Sequence, residues 1–170
     1  MKKTILIILN GGPTSGKDTF VELCKKTPFT IIHRSSVEPI KEIAYKLGWD
    51  GEKNPKIRKF LSDLKDLCTE TFDTSFKYIE GQLDTASYAN VDFLFVDCRE
   101  PNEIDRFVKE IGAITVYIDG SKRINEKISN HADANVLDYH YDYYIDNNGN
   151  LSDLEDAAQL FMSWIAKELE

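Results

Sequence analysis

The sequence has few cysteines, no run of basic residues and no long apolar segment. Its three cysteines, Cys24, Cys68 and Cys98, lie far apart, which favours buried thiols in a reducing compartment over disulfides or a metal-binding pair. The formal net charge of -8 argues against a nucleic-acid-binding protein. No apolar run reaches the length of a transmembrane helix. We therefore expect a cytoplasmic protein that binds neither nucleic acid nor a membrane.

What the sequence does contain is an alternation of short apolar strands and amphipathic helices. The strands are predicted at residues 5–9, 29–33, 93–96, 113–118 and 143–145. The helices are predicted from the glycine-rich loop to about residue 26, from residue 35, from residue 54, over 75–87, over 101–111 and over 151–169. Such alternation is typical of an α/β fold with a central, mostly parallel five-stranded sheet covered by helices on both faces. One domain over residues 1–170 is the simplest interpretation.

Several helix ends carry recognisable capping residues. Ser35 with Glu38, and Ser152 with Glu155, have the spacing of a capping box. Asn54 precedes a proline and is expected to cap the third helix. These signals predict where three of the helices begin.

The strongest motif is the segment GGPTSGKDT, residues 11–19, which fits G-x-x-x-x-G-K between a buried strand and a helix. Glycines let successive N–H groups point into one concavity, and the helix N-terminus adds partial positive charge. Lys17 supplies a full charge for the β- and γ-phosphates of a nucleoside triphosphate. The predicted phosphate contacts are Gly11, Gly12, Thr14, Ser15, Gly16, Lys17, Asp18 and Thr19.

Two carboxylates are candidate ligands of Mg²⁺. Asp18 stands where Ser or Thr is usual, and a carboxylate can serve magnesium directly or through water. Asp97 follows the apolar strand 93–96, at the sheet edge where ligands of open α/β folds bind. The alternative for Asp97 is a cap of the following turn. Arg99 follows at once and is predicted to face the phosphates.

Four segments resemble the deoxynucleoside monophosphate kinases of phages and related bacterial proteins. They are SGKDT at 15–19, VDCREPNEIDRF at 96–107, DYYIDNNGNLSDLE at 142–155, and SSVEPIKEIAYKLGWDGEK at 35–53. The resemblance implies a three-layer P-loop NTPase fold, ATP as the donor and Mg²⁺ as the cofactor. It implies Arg99 beside Asp97 in the active site, and it is consistent with a homodimer. The sequence departs from that family at His131, where it has His-Ala-Asp-Ala in place of the motif His-x-Ser-Glu.

A kinase must also hold an acceptor and exclude water. The acceptor side is expected in the helices at about 35–90, with Ser35, Ser36, Lys41 and Arg58 as substrate contacts. For Lys41 and Arg58 the alternative is a solvated helix face. The lid is expected at about 119–141, where Arg123 is the candidate for stabilising transition-state charge.

These observations predict an ATP-dependent phosphotransferase with Lys17, Asp97, Arg99 and Arg123 as catalytic residues. The expected acceptor is a nucleoside monophosphate, of the deoxy series if the resemblance holds. Two alternatives stay open. One is a P-loop kinase for another small phosphorylated acceptor, and the other is a nucleotide-binding module without catalysis.

Overall fold

The computed structural model describes residues 3–123 and 139–169. The strands are β1 Ile5–Asn10, β2 Ile31–Ser35, β3 Phe93–Asp97, β4 Ile114–Asp119 and β5 Tyr143–Asp146. The helices are α1 Lys17–Cys24, α2 Glu38–Lys46, α3 Pro55–Phe72, α4 Thr74–Tyr88, α5 Pro101–Ile111 and α6 Leu151–Ile165. Short 3₁₀ turns cover Ser121–Arg123 and Ala166–Leu169. Each predicted strand and helix is present, with ends that differ by a few residues.

The five strands form one sheet in the order β2-β3-β1-β4-β5. All four neighbouring pairs are parallel. The register places Asp97 beside both Leu9 and Ser35, at the carboxyl ends of β3, β1 and β2. The predicted α/β class with a parallel five-stranded sheet is confirmed. This edge is where the loops that leave the strands meet.

Strand β1 is buried on both faces, which explains its continuous apolar sequence. Ile7 and Leu9 pack on one face with residues of α1 and α6, such as Phe20 and Phe161. Ile8 packs on the other face with residues of α4 and α5. The sheet is therefore covered by helices on both sides. Among the described residues, no helix combines the length and the apolar character that crossing a membrane requires.

The helix ends follow local chemistry, although two predicted caps are wrong. Asn54 caps α3 by accepting from the N–H of Ile57, as expected. Ser35 does not cap α2, because it is the last residue of β2 and its backbone is extended in the sheet. Only the carboxylate half of that box forms, with Glu38 accepting from the N–H of Ser35 at 2.9 Å. Ser152 does not cap α6 either.

Helix α6 is capped two residues earlier than the sequence pattern suggested. The side chain of Asn150 accepts from the N–H groups of Ser152 (2.8 Å) and Asp153 (3.1 Å), and Asp153 accepts from the N–H of Asn150 (2.8 Å). The sequence offers N-x-x-D and S-x-x-E at overlapping positions. The structure contains the first of them.

The cap formed by Asn150 should contribute measurably to stability. Asn150→Ala should lower the free energy of unfolding by about 1 kcal/mol, because it removes the acceptor of two helix N–H groups. Ser152→Ala is the matched control and should change it by less than about 0.5 kcal/mol. Urea denaturation followed by circular dichroism measures both. Equal losses in the two variants would contradict the assignment of Asn150 as the cap.

Candidate active site

The loop between β1 and α1 bends its main chain around a groove of about 360 Å³. Gly11 and Gly16 adopt positive φ angles of 151° and 95°. Helix α1 begins after Gly16 without a side-chain cap, so the N–H groups of Lys17, Asp18 and Thr19 have no acceptor within the helix. These donors and the helix dipole make the groove suitable for an anion.

Glycine is required at position 16 by its surroundings as well as by its φ angle. A Cβ atom there would overlap the side-chain amide of Asn147. Asn147 is 2% exposed, donates from Nδ2 to the carbonyl of Ser15 at 2.8 Å and donates from its main-chain N–H to the carbonyl of Asp119 at 2.7 Å. The ends of β4 and β5 therefore hold the phosphate loop from behind.

A second support comes from Asn10, the last residue of β1. It is fully buried, and its Oδ1 accepts from the N–H of Gly11 at 2.7 Å. Its Nδ2 donates to the hydroxyl of Tyr141 at 2.8 Å and to the carbonyl of Arg99 at 3.3 Å. Burial raises the pKa of Tyr141, so the phenol stays neutral and can accept this bond. Asn10 thus fixes the start of the phosphate loop relative to the loop after β3.

The ammonium group of Lys17 lies across the phosphate loop. Its Nζ donates to the carbonyls of Gly11 (3.0 Å) and Gly12 (3.1 Å) and to Oγ of Ser15 (3.4 Å). Because Lys17 also lines the groove, its positive charge lies beside it.

A second cavity, of about 310 Å³, adjoins the phosphate groove. Lys17, Asp97 and Arg99 line both cavities. The second cavity is bounded by the end of β2, by α2, by the α2–α3 turn and by α3. Two ligands bound in the two cavities would therefore meet at the same three side chains.

The second cavity is rich in positive charge, in contrast to the chain as a whole. Of its thirteen lining residues, five are Lys or Arg and two are Asp or Glu. The whole chain has 21 basic and 29 acidic residues. Lys65 is largely neutralised, since its Nζ lies 3.1 Å from Glu103 and 3.9 Å from Glu100. The remaining cations of the cavity are Lys17, Lys41, Lys53 and Arg99.

The pKa of Lys53 reflects how close these cations are to one another. Partial burial lowers the pKa of Lys53, and repulsion from Lys41, Arg58 and Arg99 lowers it further. A group of like charges of this kind is stabilised when an anion binds among them. The cavity is therefore suited to an anionic ligand.

Three titratable side chains converge where β2, β3 and α1 meet. His33 Nε2 lies 3.3 Å from Oδ2 of Asp97, and His33 Nδ1 lies 3.9 Å from Oδ1 of Asp18. The approach of His33 to Asp97 does not have hydrogen-bond geometry. Nε2 of His33 and Oδ1 of Asp97 are both buried and have no hydrogen-bond partner among the described residues. One ligand atom from each of the three residues lies within 4.8 Å of the others.

The structure brings most of the residues predicted from sequence to one edge of the sheet. Those around the phosphate groove are Thr14, Ser15, Gly16, Lys17, Asp18, Thr19, Asp97 and Arg99. Ser35, Ser36 and Lys41 line the adjoining cavity. Arg58 is exposed and is not among the residues that line either cavity, although its charge acts on Lys53.

The predicted lid falls mainly outside the described residues. Residues 124–138, which include His131, lie outside them, and so does the side chain of Arg123. The role assigned to Arg123 therefore stays a prediction.

Sequence reasoning missed several residues of this edge. His33 lies within β2, and only the β2–β3 pairing brings it to Asp97. Lys53 lies in a turn, and Ser62 and Lys65 lie on a helix whose side-chain pattern does not show which face borders a cavity. Asn147 lies in a segment that resembles a simple turn. Strand order, which a single sequence does not supply, was the missing information.

Neither a protein-family model nor a curated protein matches this sequence. Solved structures do match its fold. Dephospho-CoA kinase from Campylobacter jejuni superposes with a TM-score of 0.55 at 18% identity, covering 96% of this chain and 98% of that one. A sugar kinase from Janibacter sp. HTCC2649 has a TM-score of 0.53 at 13% identity and covers 98% of each chain. A gluconokinase from Sinorhizobium meliloti 1021 has a TM-score of 0.52 at 15% identity, covering 99% of this chain and 97% of that one.

The chain therefore has the fold of the P-loop kinases. The predicted three-layer arrangement is confirmed by these superpositions together with the parallel sheet and its two helical layers. Identities of 13–18% are too low to carry over an acceptor from any of these enzymes.

Proposed function

We propose that this protein transfers the terminal phosphoryl group of ATP to a small phosphorylated acceptor, specifically a nucleoside monophosphate. The observation that carries the proposal is the junction of the two cavities at Lys17, Asp97 and Arg99. In-line phosphoryl transfer needs donor and acceptor to approach from opposite sides of the moving group. Two adjoining cavities with shared cations offer that arrangement.

The donor end follows from the phosphate loop. The β- and γ-phosphates of ATP would accept hydrogen bonds from the first N–H groups of α1, and the Lys17 ammonium would turn from the loop carbonyls to the phosphates. Arg99 borders both cavities and would compensate charge on the transferred group. Catalysis of this kind consists of positioning and charge stabilisation, with no protein nucleophile.

Asp18 and Asp97 are the residues proposed to hold Mg²⁺. The fit rests on their oxygen atoms. Oδ1 of Asp97 is buried without a hydrogen-bond partner among the described residues, and an oxygen of Asp18 lies within 4.8 Å of an oxygen of Asp97. Mg²⁺ held by these two residues would supply positive charge that neutralises part of the charge on the phosphates.

The acceptor end explains why a phosphorylated acceptor is preferred in this proposal. Lys41 and Lys53 offer positive charge away from the phosphate loop, where the acceptor would lie. A phosphate monoester has a second pKa of about 6, so one of its oxygens is already ionised near neutral pH. That oxygen forms the new bond to the γ-phosphorus as the bond to the β–γ bridging oxygen breaks, and ADP leaves. No general base is needed.

The proposal is tested by acceptor-dependent release of ADP. The protein is incubated with Mg-ATP and, one at a time, with ribo- and deoxyribonucleoside monophosphates, and ADP is measured. Release that depends on a nucleoside monophosphate supports the proposal. ATP binding without turnover on any acceptor would instead indicate a nucleotide-binding module. Turnover only with other phosphorylated compounds would support kinase activity but contradict the proposed acceptor.

A further prediction concerns the acceptor cavity. Lys53→Met should raise the KM for the nucleoside monophosphate by about tenfold, because it removes a charged contact to the acceptor phosphate. The KM for ATP should stay within about twofold, since Lys53 does not line the phosphate groove. Lys46→Met is the matched control on the exposed end of α2. Steady-state kinetics with each substrate varied separately would show the difference, and an equal rise in both KM values would contradict the assignment.

A further inference from the structure

The cluster of Asp18, His33 and Asp97 differs from an oxygen-only magnesium site. His33 and Asp97 come from adjacent parallel strands, so their main-chain positions are fixed by the sheet. Their side chains are 18% and 24% exposed, whereas that of Asp18 is 91% exposed. Two ligands of this cluster are therefore held in place, and the third can move to meet an ion.

The distance between His33 and Asp97 fits a single cation. With metal–ligand bonds of about 2.1 Å, two adjacent ligand atoms lie about 3 Å apart. Nε2 of His33 and Oδ2 of Asp97 are 3.3 Å apart, close to that value. Asp18 approaches the other nitrogen, Nδ1, at 3.9 Å, so its exposed side chain would have to rotate to bind the same ion. A buried imidazole nitrogen without a hydrogen-bond partner is costly, and coordination would satisfy it.

The nitrogen ligand determines which cation is favoured. Mg²⁺ prefers oxygen and gives up its water reluctantly, whereas imidazole increases affinity for first-row transition metals, in the order Mn²⁺, Fe²⁺, Co²⁺. The three cysteines are buried elsewhere in the described chain and do not compete at this site.

We infer that Asp18, His33 and Asp97 bind a first-row divalent transition-metal ion without nucleotide, with His33 as a nitrogen ligand, and more tightly than they bind Mg²⁺. The inference rests on the metal role proposed above for Asp18 and Asp97, and it adds a ligand and a metal preference to that site.

The test uses tag-free, nucleotide-free full-length protein. Mn²⁺ is added and the bound ion is examined by pulsed EPR, which detects coupling to a directly bound imidazole nitrogen. Calorimetric titrations with Co²⁺ and with Mg²⁺ measure affinity. The variants are His33→Asn, Asp97→Asn and, as the matched control on an exposed histidine, His140→Asn.

We expect nitrogen coupling in the wild type and in His140→Asn, and none in His33→Asn. His33→Asn should weaken Co²⁺ binding by about tenfold or more, since loss of even a residue that only hydrogen-bonds to a metal ligand lowers metal affinity by that much. Mg²⁺ binding in this variant should stay within about twofold, because oxygen ligands carry it. Asp97→Asn should weaken the binding of both ions. Absence of nitrogen coupling in the wild type, or unchanged Co²⁺ affinity in His33→Asn, would overturn the inference.

The two proposals can fail separately. Phosphoryl transfer with Mg-ATP but without nitrogen coupling would support the proposed kinase activity and exclude His33 as a metal ligand. Nitrogen coupling without transfer to any acceptor would support the metal site and contradict the proposed kinase activity. A purely structural role for His33 would lower the stability of His33→Asn without any nitrogen signal in the wild type.

Discussion

Lys17→Ala should lower kcat/KM for phosphoryl transfer by about 10³-fold while leaving the fold intact. The expected size is that of removing one preorganised positive group from a transition state whose charge is spread over phosphate oxygens. Lys17 is suited to this role because it lines both cavities. Most of the loss should fall on kcat, since the first-turn N–H groups of α1, which are proposed to contact the ATP phosphates, are kept in this variant.

The controls for this variant separate charge from structure. Lys17 also donates to the carbonyls of Gly11 and Gly12, so the loop could loosen when the ammonium is removed. Lys17→Met keeps the apolar stem and should be as inactive as Lys17→Ala. Lys25→Ala, at the other end of α1, should retain activity within about twofold. A Lys17→Ala variant that keeps more than a tenth of the wild-type kcat/KM would contradict the assigned role.

Phe161→Ala should lower the free energy of unfolding by about 3–5 kcal/mol, as large-to-small changes of a buried aromatic ring do. Phe161 is fully buried on α6. Its ring centroid lies 5.5 Å from that of Phe20 on α1, 6.3 Å from Phe95 on β3 and 5.1 Å from Tyr143 on β5. Phe161 thus packs α6 against both the sheet and α1, the helix that follows the phosphate loop.

Urea denaturation measures this loss directly, and the melting temperature should fall by about 10 °C. Leu160→Ala is the matched control. Leu160 is next to Phe161 in sequence but 67% exposed, so its side chain should contribute less than about 0.5 kcal/mol to stability. Phe161→Leu should give an intermediate loss. A loss below about 1 kcal/mol for Phe161→Ala would mean that the cluster of rings does not hold α6 on the sheet.

Much of the fold could be predicted from the sequence because its signals are local. The apolar run at 5–9 indicates a strand buried on both faces, and it is one. Gly112 ends α5 with a positive φ of 78°, as the glycine after a helical stripe indicates. The cap of α6 could not be chosen correctly, because N-x-x-D and S-x-x-E overlap there. The start of α2 was missed because Ser35 belongs to β2, and α2 begins without a side-chain cap.

The candidate site divides in the same way. The phosphate loop is contiguous in sequence, so its residues could be named in advance. The second cavity is assembled from β2, α2 and α3, and its charge comes from residues far apart in sequence, such as Lys53 and Lys65. His33 became visible only when the strand order brought it to Asp97. Contacts that depend on topology were the part that pattern and spacing did not supply.

The central claim is transfer of a phosphoryl group to an acceptor that lies in the basic cavity. It is tested most directly by following the phosphorus itself, with ATP radiolabelled in the γ position and each nucleoside monophosphate in turn. The account predicts that the label moves to the acceptor, giving a labelled nucleoside diphosphate in equal amount to ADP, and that Lys17→Ala slows this transfer by about 10³-fold. Label that stays in ATP, or that appears only as inorganic phosphate with every acceptor, would contradict it.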